Sequence, residues 1–430
     1  MNKYLVRKLN KKLNTTISVP GDKSITHRAI ILGGLAEGET IINNYLDSDD
    51  CRRTINAFRQ MGVKLEKINN KIYIESKGLN NLIAPENVID AGNSGTTMRL
   101  LCGVIAGQNF YSEIIGDESL SKRPMRRVID PLRKMGAEIS AVNDMYPPIK
   151  IRGNTNLNPI TYELPVPSAQ VKSAIILASL QAVGTTVIKE PIKTRDHTEL
   201  MLKHFGVEII NTYSTITING KTRFKGKTVY VPGDFSSAAF FIVLGLILSD
   251  AKIKIENVGL NPTRTGLLDC LKKMGANITI EGTRLVNNEI VGNIIVESSK
   301  LNGIDITEPQ DITNMIDEIP ILCLAATQAN GTTTIRNAKE LRVKESDRIR
   351  TISTELNKMG AKIIELEDGF IIEGGTKLKG ANVDSYNDHR IAMTLAISGL
   401  CAEGETVINN SNCVSISFPE FFTIIEDFSK

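Results

Sequence analysis

The chain contains no tryptophan, and aromatic residues make up only 5% of its 430 positions. The stacking platforms on which single-stranded nucleic acid lies are therefore scarce. Its six cysteines, Cys51, Cys102, Cys270, Cys323, Cys401 and Cys413, include no Cys-x-x-Cys pair. Its four histidines, His27, His197, His204 and His389, lie on scattered segments, so no metal site is expected. Long apolar runs are missing too: Ala238–Leu248 is the longest, too short for a bilayer and readable as a buried helix. The opening MNKYLVRKLNKKLN is basic but lacks the apolar stretch of a signal peptide. Charge of one sign is also absent. Fifty-one Lys and Arg against 48 Asp and Glu leave +3, too little to coat nucleic acid or a membrane surface. No Gly-x-x-x-x-Gly-Lys-Ser/Thr loop, nucleophile elbow or Cys–His arrangement is present. The expectation is a reduced, soluble, cytoplasmic protein with neither nucleic-acid nor membrane partners. What is present, 41% apolar and 23% charged residues, is an ordinary globular balance. The length suits roughly two to four domains.

The chain repeats itself. An apolar residue, Gly, then Ala or Val recurs at Met61-Gly62-Val63, Met135-Gly136-Ala137, Phe205-Gly206-Val207, Met274-Gly275-Ala276 and Met359-Gly360-Ala361. Successive copies lie roughly 70–85 residues apart, above the common solenoid periods. Each follows a helix-like segment and precedes a strand-like one, so each Gly reads as a left-handed helix C-cap. A second phrase, a turn and then a β-branched strand, recurs at Gly38–Asn43, Gly184–Ile188, Gly331–Ile335 and Gly404–Ile408, with looser copies at Gly107–Ile115 and Asp250–Ile255. Together they mark six repeats of helix, strand, helix, Gly cap and strand pair, an α/β chain whose last repeat stops after its second helix. Val19-Pro20-Gly21-Asp22-Lys23-Ser24 is echoed by Val231-Pro232-Gly233-Asp234-Phe235-Ser236. Taken as matching points, these place residues 22–232 in one lobe of three repeats, and 1–21 with 233–430 in another.

Each repeat's first helix opens on a polar cluster: Lys23–Arg28, Asn93–Arg99, Ser168–Lys172, Ser236-Ser237, Asp317-Glu318 and Asn387–Arg390. Ser, Asn and Asp are natural N-caps. Four of the six clusters add Lys or Arg, which the positive helix start disfavours unless an anion sits there, held by free N–H groups and the cation together. The segments Ser121–Arg127, Lys193–His197 and Arg342–Arg348 carry the same theme. Arginines recurring at one place in a repeat suit a small polyanion, because the guanidinium grips phosphate and carboxylate bidentately. Two acids, Asp317 and Glu345, stand amid these cations, as ion-pair partners or as a general base and acid.

Along essentially the whole chain these motifs resemble the 5-enolpyruvylshikimate-3-phosphate synthase (3-phosphoshikimate 1-carboxyvinyltransferase) family. The resemblance is carried by Pro20–Arg28, Asn93–Arg99, Lys122–Met125, Ser168–Gln170, Arg342–Arg348 and Asn387–Arg390. It implies a two-lobed enolpyruvyl-transferase-like fold, three βαβαββ repeats per lobe with helices inside and sheets outside. It implies a transferase of the shikimate pathway to aromatic amino acids. That enzyme moves the enolpyruvyl group of phosphoenolpyruvate to the 5-hydroxyl of shikimate 3-phosphate through a tetrahedral intermediate, as a monomer, with no metal or organic cofactor. Carried over by motif, Lys23, Ser24, Arg28, Ser168, Ala169 (through its backbone), Gln170, Arg195, Asp317 and Lys344 hold shikimate 3-phosphate. Lys23, Gly95, Arg123, Gln170, Arg348 and Arg390 hold phosphoenolpyruvate. Asp317 takes the 5-hydroxyl proton, and Glu345 and Lys23 share the protonation of the methylene carbon and the leaving phosphate.

Some positions depart from the pattern. Ile416 stands where many members carry Lys, and Ser94, Thr97 and Leu100 stand where plant-like members have Ala, Ala and Pro. Both resemble the branch less sensitive to glyphosate, a phosphoenolpyruvate mimic. Three other readings remain. The sister enzyme acting on UDP-N-acetylglucosamine carries a reactive Cys in the loop corresponding to Gly116–Arg127, which has none here. A nucleic-acid binder would use the basic helix starts, and a non-catalytic scaffold would tolerate changes at Asp317 and Lys23.

Overall fold

Each repeat is organised by two parallel strands joined through an apolar helix. In the computed structural model, which describes residues 2–428, Ile89–Asp90 runs parallel to Tyr111–Ile115 across the helix Gly95–Ala106. A second helix, Arg126–Lys134, leads to the antiparallel pair Glu138–Val142 and Tyr146–Arg152, and the latter strand pairs with Tyr111–Ile115. The same four-stranded order recurs around Thr185–Lys189, behind the helix Ala169–Ser179, and around Thr332–Ile335, behind Ile319–Gln328.

Two repeats obtain their first strand from elsewhere in the sequence. Asn14–Ser18 precedes the helix Lys23–Leu35, yet it pairs in parallel with Lys252–Gly259, the strand that follows the helix Phe235–Ile247. Conversely, Thr228–Tyr230 precedes Phe235–Ile247 but pairs with Glu37–Asn43. In the last repeat, Glu405–Asn409 lies between Asn382–Asp384 and the antiparallel N-terminal strand Lys3–Arg7, which occupies the place of the hairpin strand.

The chain divides into two units. One comprises Gly21–Val231 with Leu285–Glu289; the other, here the C-terminal unit, comprises residues up to Pro20, Pro232–Arg284 and the residues from Ile290 on. Each has its own apolar core. The first helices are apolar on every side and sit inside: eleven of the thirteen residues of Lys23–Leu35 are buried, as are twelve of thirteen in Phe235–Ile247 and in His389–Cys401. A helix of that composition is stable only when enclosed. The strands bury one face, as in Lys71–Lys77, where Ile72, Ile74 and Ser76 point inward and charged residues outward. Among the described residues no helix is long and apolar enough to cross a membrane.

In five of the six repeats the second helix ends at a glycine in the left-handed region: φ is +84° at Gly62, +101° at Gly136, +85° at Gly206, +92° at Gly275 and +92° at Gly360. Gly206 isolates the backbone requirement, since an added Cβ there would meet nothing within 4 Å. Gly206→Ala should therefore lower unfolding stability by about 1–2 kcal/mol, and Gly206→Asn by less. Denaturant unfolding checks both, and an unchanged midpoint for the Ala variant would contradict the cap.

The helix Lys23–Leu35 carries His27 fully into the interior. Burial, with Lys23 and Arg28 nearby, pushes its pKa well below the usual value. The folded protein keeps the ring neutral, whereas the unfolded chain takes up a proton below about pH 6.5. The contribution of His27 to stability is thus complete above that pH and is lost as pH falls below it. His27→Gln should flatten the acid limb of the stability curve by up to about 1.4 kcal/mol per pH unit, read by unfolding titrations between pH 6.5 and 5. Parallel limbs for the two proteins would place the ring's pKa near its ordinary value.

Candidate functional site

In the Gly21–Val231 unit the helix starts are stitched together by side chains. Asp22 caps Lys23–Leu35, its carboxylate accepting from Ile25 N at 2.9 Å. Half-buried Lys23 places Nζ 3.1 Å from Asp50 Oδ2. One turn on, Arg28 is only 4% exposed. Its Nε donates to Thr198 Oγ1 at 2.7 Å, Nη1 to the Ser24 carbonyl at 3.0 Å and Nη2 to Ser173 Oγ at 2.9 Å. Among the described residues no carboxylate accepts a hydrogen bond from this guanidinium. Burial pushes its pKa down to about 10; Glu199 and Asp22 oppose that shift, and the nearby Arg195 charge adds to it. Three of its five N–H groups are used, which leaves one on each Nη, the pair that grips an oxyanion.

Ser173 lies one turn into the helix that Ser168 caps, where Ser168 Oγ accepts from Val171 N at 3.4 Å. Gln170 joins that helix to the next: Arg99 Nη1 donates to its Oε1 at 2.7 Å, and its Nε2 donates to Thr96 Oγ1 at 2.9 Å. Gly95 opens the helix of Thr96 and Arg99; an added Cβ would fall 2.5 Å from Arg99 Nη1 and 3.6 Å from Arg123 Nη1. Arg123, nearly buried, donates through Nη2 to Asn93 Oδ1 at 3.0 Å and Ser119 Oγ at 3.3 Å. Lys23, Ser24, Arg28, Gly95, Arg123, Ser168, Ala169, Gln170 and Arg195 thus all belong to this unit, at or beside three helix starts. The positions that depart from the plant-like pattern are linked there. Ser94 Oγ accepts from Thr97 N and Thr97 Oγ1 at 3.1 and 2.7 Å, and Thr97, Thr54 and His27 Nδ1 continue the chain in steps of 2.7 Å, all buried.

The C-terminal unit holds a denser cluster. Asp388 is fully buried and caps His389–Cys401, accepting from Arg390 N at 2.9 Å. Arg348, 1% exposed, donates Nε to Asp388 Oδ2 at 2.8 Å, Nη2 to Glu345 Oε2 at 2.6 Å and Asp388 Oδ1 at 3.3 Å, and Nη1 to Asp317 Oδ1 at 3.3 Å. Burial opposes its charge, but Asp388, Glu345 and Asp317 together raise its pKa above the ordinary arginine value. Arg390 Nε stands 4.0 Å from Asp317 Oδ1, and its Nη1 stands 3.6 Å from Glu318 Oε1, which also accepts from Ser236 Oγ. Asp317, Glu345, Arg348 and Arg390 therefore form one cluster. Lys344 stays outside it, half-buried and without a hydrogen bond or ion pair among the described residues. Ile416 ends a 3-10 turn and packs on the apolar core. Among the described residues no group of three or more His, Cys, Asp or Glu is placed to hold a metal ion.

Sequence reasoning missed the groups that orient the cations: Asp50, Ser173, Thr198 and Asp388. Ser173 did leave a trace: with Lys172 it forms a polar pair between Val171 and the apolar run Ala174–Ala178.

The comparisons with known proteins agree with one another. The family model for EPSP synthase (3-phosphoshikimate 1-carboxyvinyltransferase) matches residues 8–425. The chain is 53% identical over 420 residues to the 3-phosphoshikimate 1-carboxyvinyltransferase of Petrotoga mobilis, covering 97% of each. It superimposes on EPSP synthase from Acinetobacter baumannii with a TM-score of 0.89 at 42% identity, covering 99% of this chain and 98% of that one. The enolpyruvyl transferase NikO from Streptomyces tendae shares the fold, with a TM-score of 0.80 at 17% identity over 99% of this chain and 97% of that one. The chain belongs to the EPSP synthase (3-phosphoshikimate 1-carboxyvinyltransferase) family.

Proposed function

We infer that the protein transfers the enolpyruvyl group of phosphoenolpyruvate to the 5-hydroxyl of shikimate 3-phosphate, releasing phosphate, in the shikimate pathway. Family membership supports the reaction; the observation that carries the assignment of residues is Arg28. A buried guanidinium whose hydrogen bonds all go to neutral oxygens has no carboxylate bound to it directly among the described residues, and one N–H on each Nη remains to grip a phosphate. Arg28 with Lys23, Ser24, Arg195 and the Ser168–Gln170 helix start is assigned to the 3-phosphate and ring hydroxyls of shikimate 3-phosphate. Lys344, which no acid neutralises among the described residues, joins them as a substrate cation. Lys23, Gly95, Arg123, Gln170, Arg348 and Arg390 are assigned to phosphoenolpyruvate.

The acid and base follow from the Arg348 cluster. Two multiply charged anions bound side by side repel strongly in a partly dry site, and the arginines offset that repulsion and orient the hydroxyl for attack. An oxygen of phosphoenolpyruvate that takes over donors of Arg348 withdraws them from Glu345 and Asp317. Each carboxylate then becomes more basic. Asp317 is assigned as the acceptor of the 5-hydroxyl proton. Glu345, with Lys23, supplies protons to the methylene carbon and the leaving phosphate. C2 of the enol phosphate becomes electrophilic only as C3 is protonated, so acid and base act together in addition and exchange tasks in elimination. The reading is completed by a monomer acting in the cytoplasm, without a cofactor.

Asp317→Asn keeps the shape and removes the base, so kcat for phosphate release should fall by about 10²–10⁴ with the fold intact. Turnover within tenfold of the parent protein would remove the assignment. A parallel assay with UDP-N-acetylglucosamine should release no phosphate. Gly95 lies outside the left-handed region, and the atom nearest an added Cβ is the guanidinium end of the long Arg99 side chain, not backbone. Gly95→Ala should therefore melt close to the parent protein while its methyl enters the phosphoenolpyruvate pocket. Inhibition by glyphosate, the longer mimic, should weaken by a larger factor than KM for phosphoenolpyruvate rises. A lower Tm with both ligands weakened alike would instead mark Gly95 as a turn residue only.

A further inference from the structure

The helix Ala169–Ser179 carries a full charge into the interior. Lys172 has no exposed surface. Its Nζ lies 3.0 Å from Glu190 Oε1 and 2.8 Å from Glu199 Oε1, and it donates to Glu190 Oε2 at 3.1 Å and to the Thr194 carbonyl at 3.3 Å. Glu190 Oε1 accepts in return from Thr194 N at 2.8 Å and from the Thr194 hydroxyl. Both carboxylates are buried. Taking three charges out of water is costly, and apolar side chains would stabilise such a site at least as well. Stability alone does not account for the trio.

Its surroundings do. Lys172 and Ser173 are neighbours on one helix, and Thr198 and Glu199 are neighbours on another, His197–His204. They meet as two adjacent rungs: the ion pair Lys172–Glu199, and the hydroxyl pair Ser173–Thr198 at 2.7 Å. The hydroxyl rung is the one that receives Arg28, at Thr198 from Nε and at Ser173 from Nη2. Ser173 is itself held by the Ala169 carbonyl at 2.7 Å. One lysine against two carboxylates leaves a local excess of negative charge beside Arg28, and Glu199 is the strongest charge favouring its protonated form. Arg195 follows directly on Thr194, the residue that Lys172 and Glu190 clamp.

We propose that Lys172, with Glu190 and Glu199, is a positioning residue for the phosphate clamp: it fixes the rung that aims Arg28 and the segment that carries Arg195, and so sets affinity for the 3-phosphate without touching it. The proposal rests on the reading that Arg28 and Arg195 hold that phosphate.

The test is titration calorimetry of shikimate 3-phosphate on the full chain. Lys172→Met keeps most of the length and removes the charge. Its Kd should rise by at least about tenfold, as for residues coupled within one network, while KM for phosphoenolpyruvate at saturating shikimate 3-phosphate and kcat stay close to the parent values. Thr198→Val, which removes only the hydroxyl rung, should weaken the same Kd. The double variant should bind about as the weaker single variant does, because both act through one rung. Should Lys172→Met not fold, Glu190→Gln keeps the volume and loosens the same ion pair, and the same expectations apply to it. A folded variant with unchanged Kd, or a double variant whose losses simply add, overturns the proposal. Arg28→Ala separates the two readings: normal binding by that variant overturns the phosphate assignment, whereas weak binding by it beside a normal Lys172→Met overturns the positioning role alone.

Discussion

Both units place arginine at or near the start of an enclosed helix, and the way that charge is balanced governs their local architecture. Helix starts present unsatisfied N–H groups and a positive dipole end. Buried caps at Asp22, Ser94, Asp234 and Asp388 satisfy the backbone, but they do not by themselves settle the added cations. The C-terminal unit settles Arg348 internally, with three carboxylates. The Gly21–Val231 unit surrounds Arg28 with hydroxyls and a carbonyl and keeps its acids one residue away. The first arrangement is neutralised within the cluster itself. The second leaves N–H groups of its guanidinium unspent, because the acids that balance it stand behind the hydroxyls and do not touch it.

Much of this was legible in residue patterns, for reasons that can be stated. A glycine punctuates five of the six repeats because a left-handed backbone admits few other residues, and those five glycines at regular intervals expose the repeat. The polar clusters before apolar runs mark helix starts, since such residues have few other reasons to precede a buried helix. What stayed hidden is the set of second partners. Thr198 and Ser173 reach Arg28 across 170 and 145 residues of chain, and Asp388 reaches Arg348 across 40. A lone Thr or Ser in a helix gives no sign of which distant donor it will meet. The strand Thr228–Tyr230 is equally silent, because three residues cannot display a period.

The departures around the second helix start act as a set. A buried hydroxyl must be paired, and Ser94, Thr97, Thr54 and His27 Nδ1 pair with one another in sequence. Small apolar residues at Ser94 and Thr97 would take away one of the two partners of the buried Thr54 hydroxyl and leave it only His27 Nδ1. Ile416, by contrast, packs against the apolar core, which ties the tail to the helix packing.

The exchanged first strands have a consequence during synthesis. Asn14–Ser18 is among the earliest segments to be made, yet its partner Lys252–Gly259 emerges only when more than half of the chain is complete. Glu37–Asn43 likewise waits for Thr228–Tyr230. Each unit therefore closes through a contact of very long sequence separation, the class of contact that slows folding. In the interval a nascent chain displays unpaired strand edges of the kind that invite association with other chains.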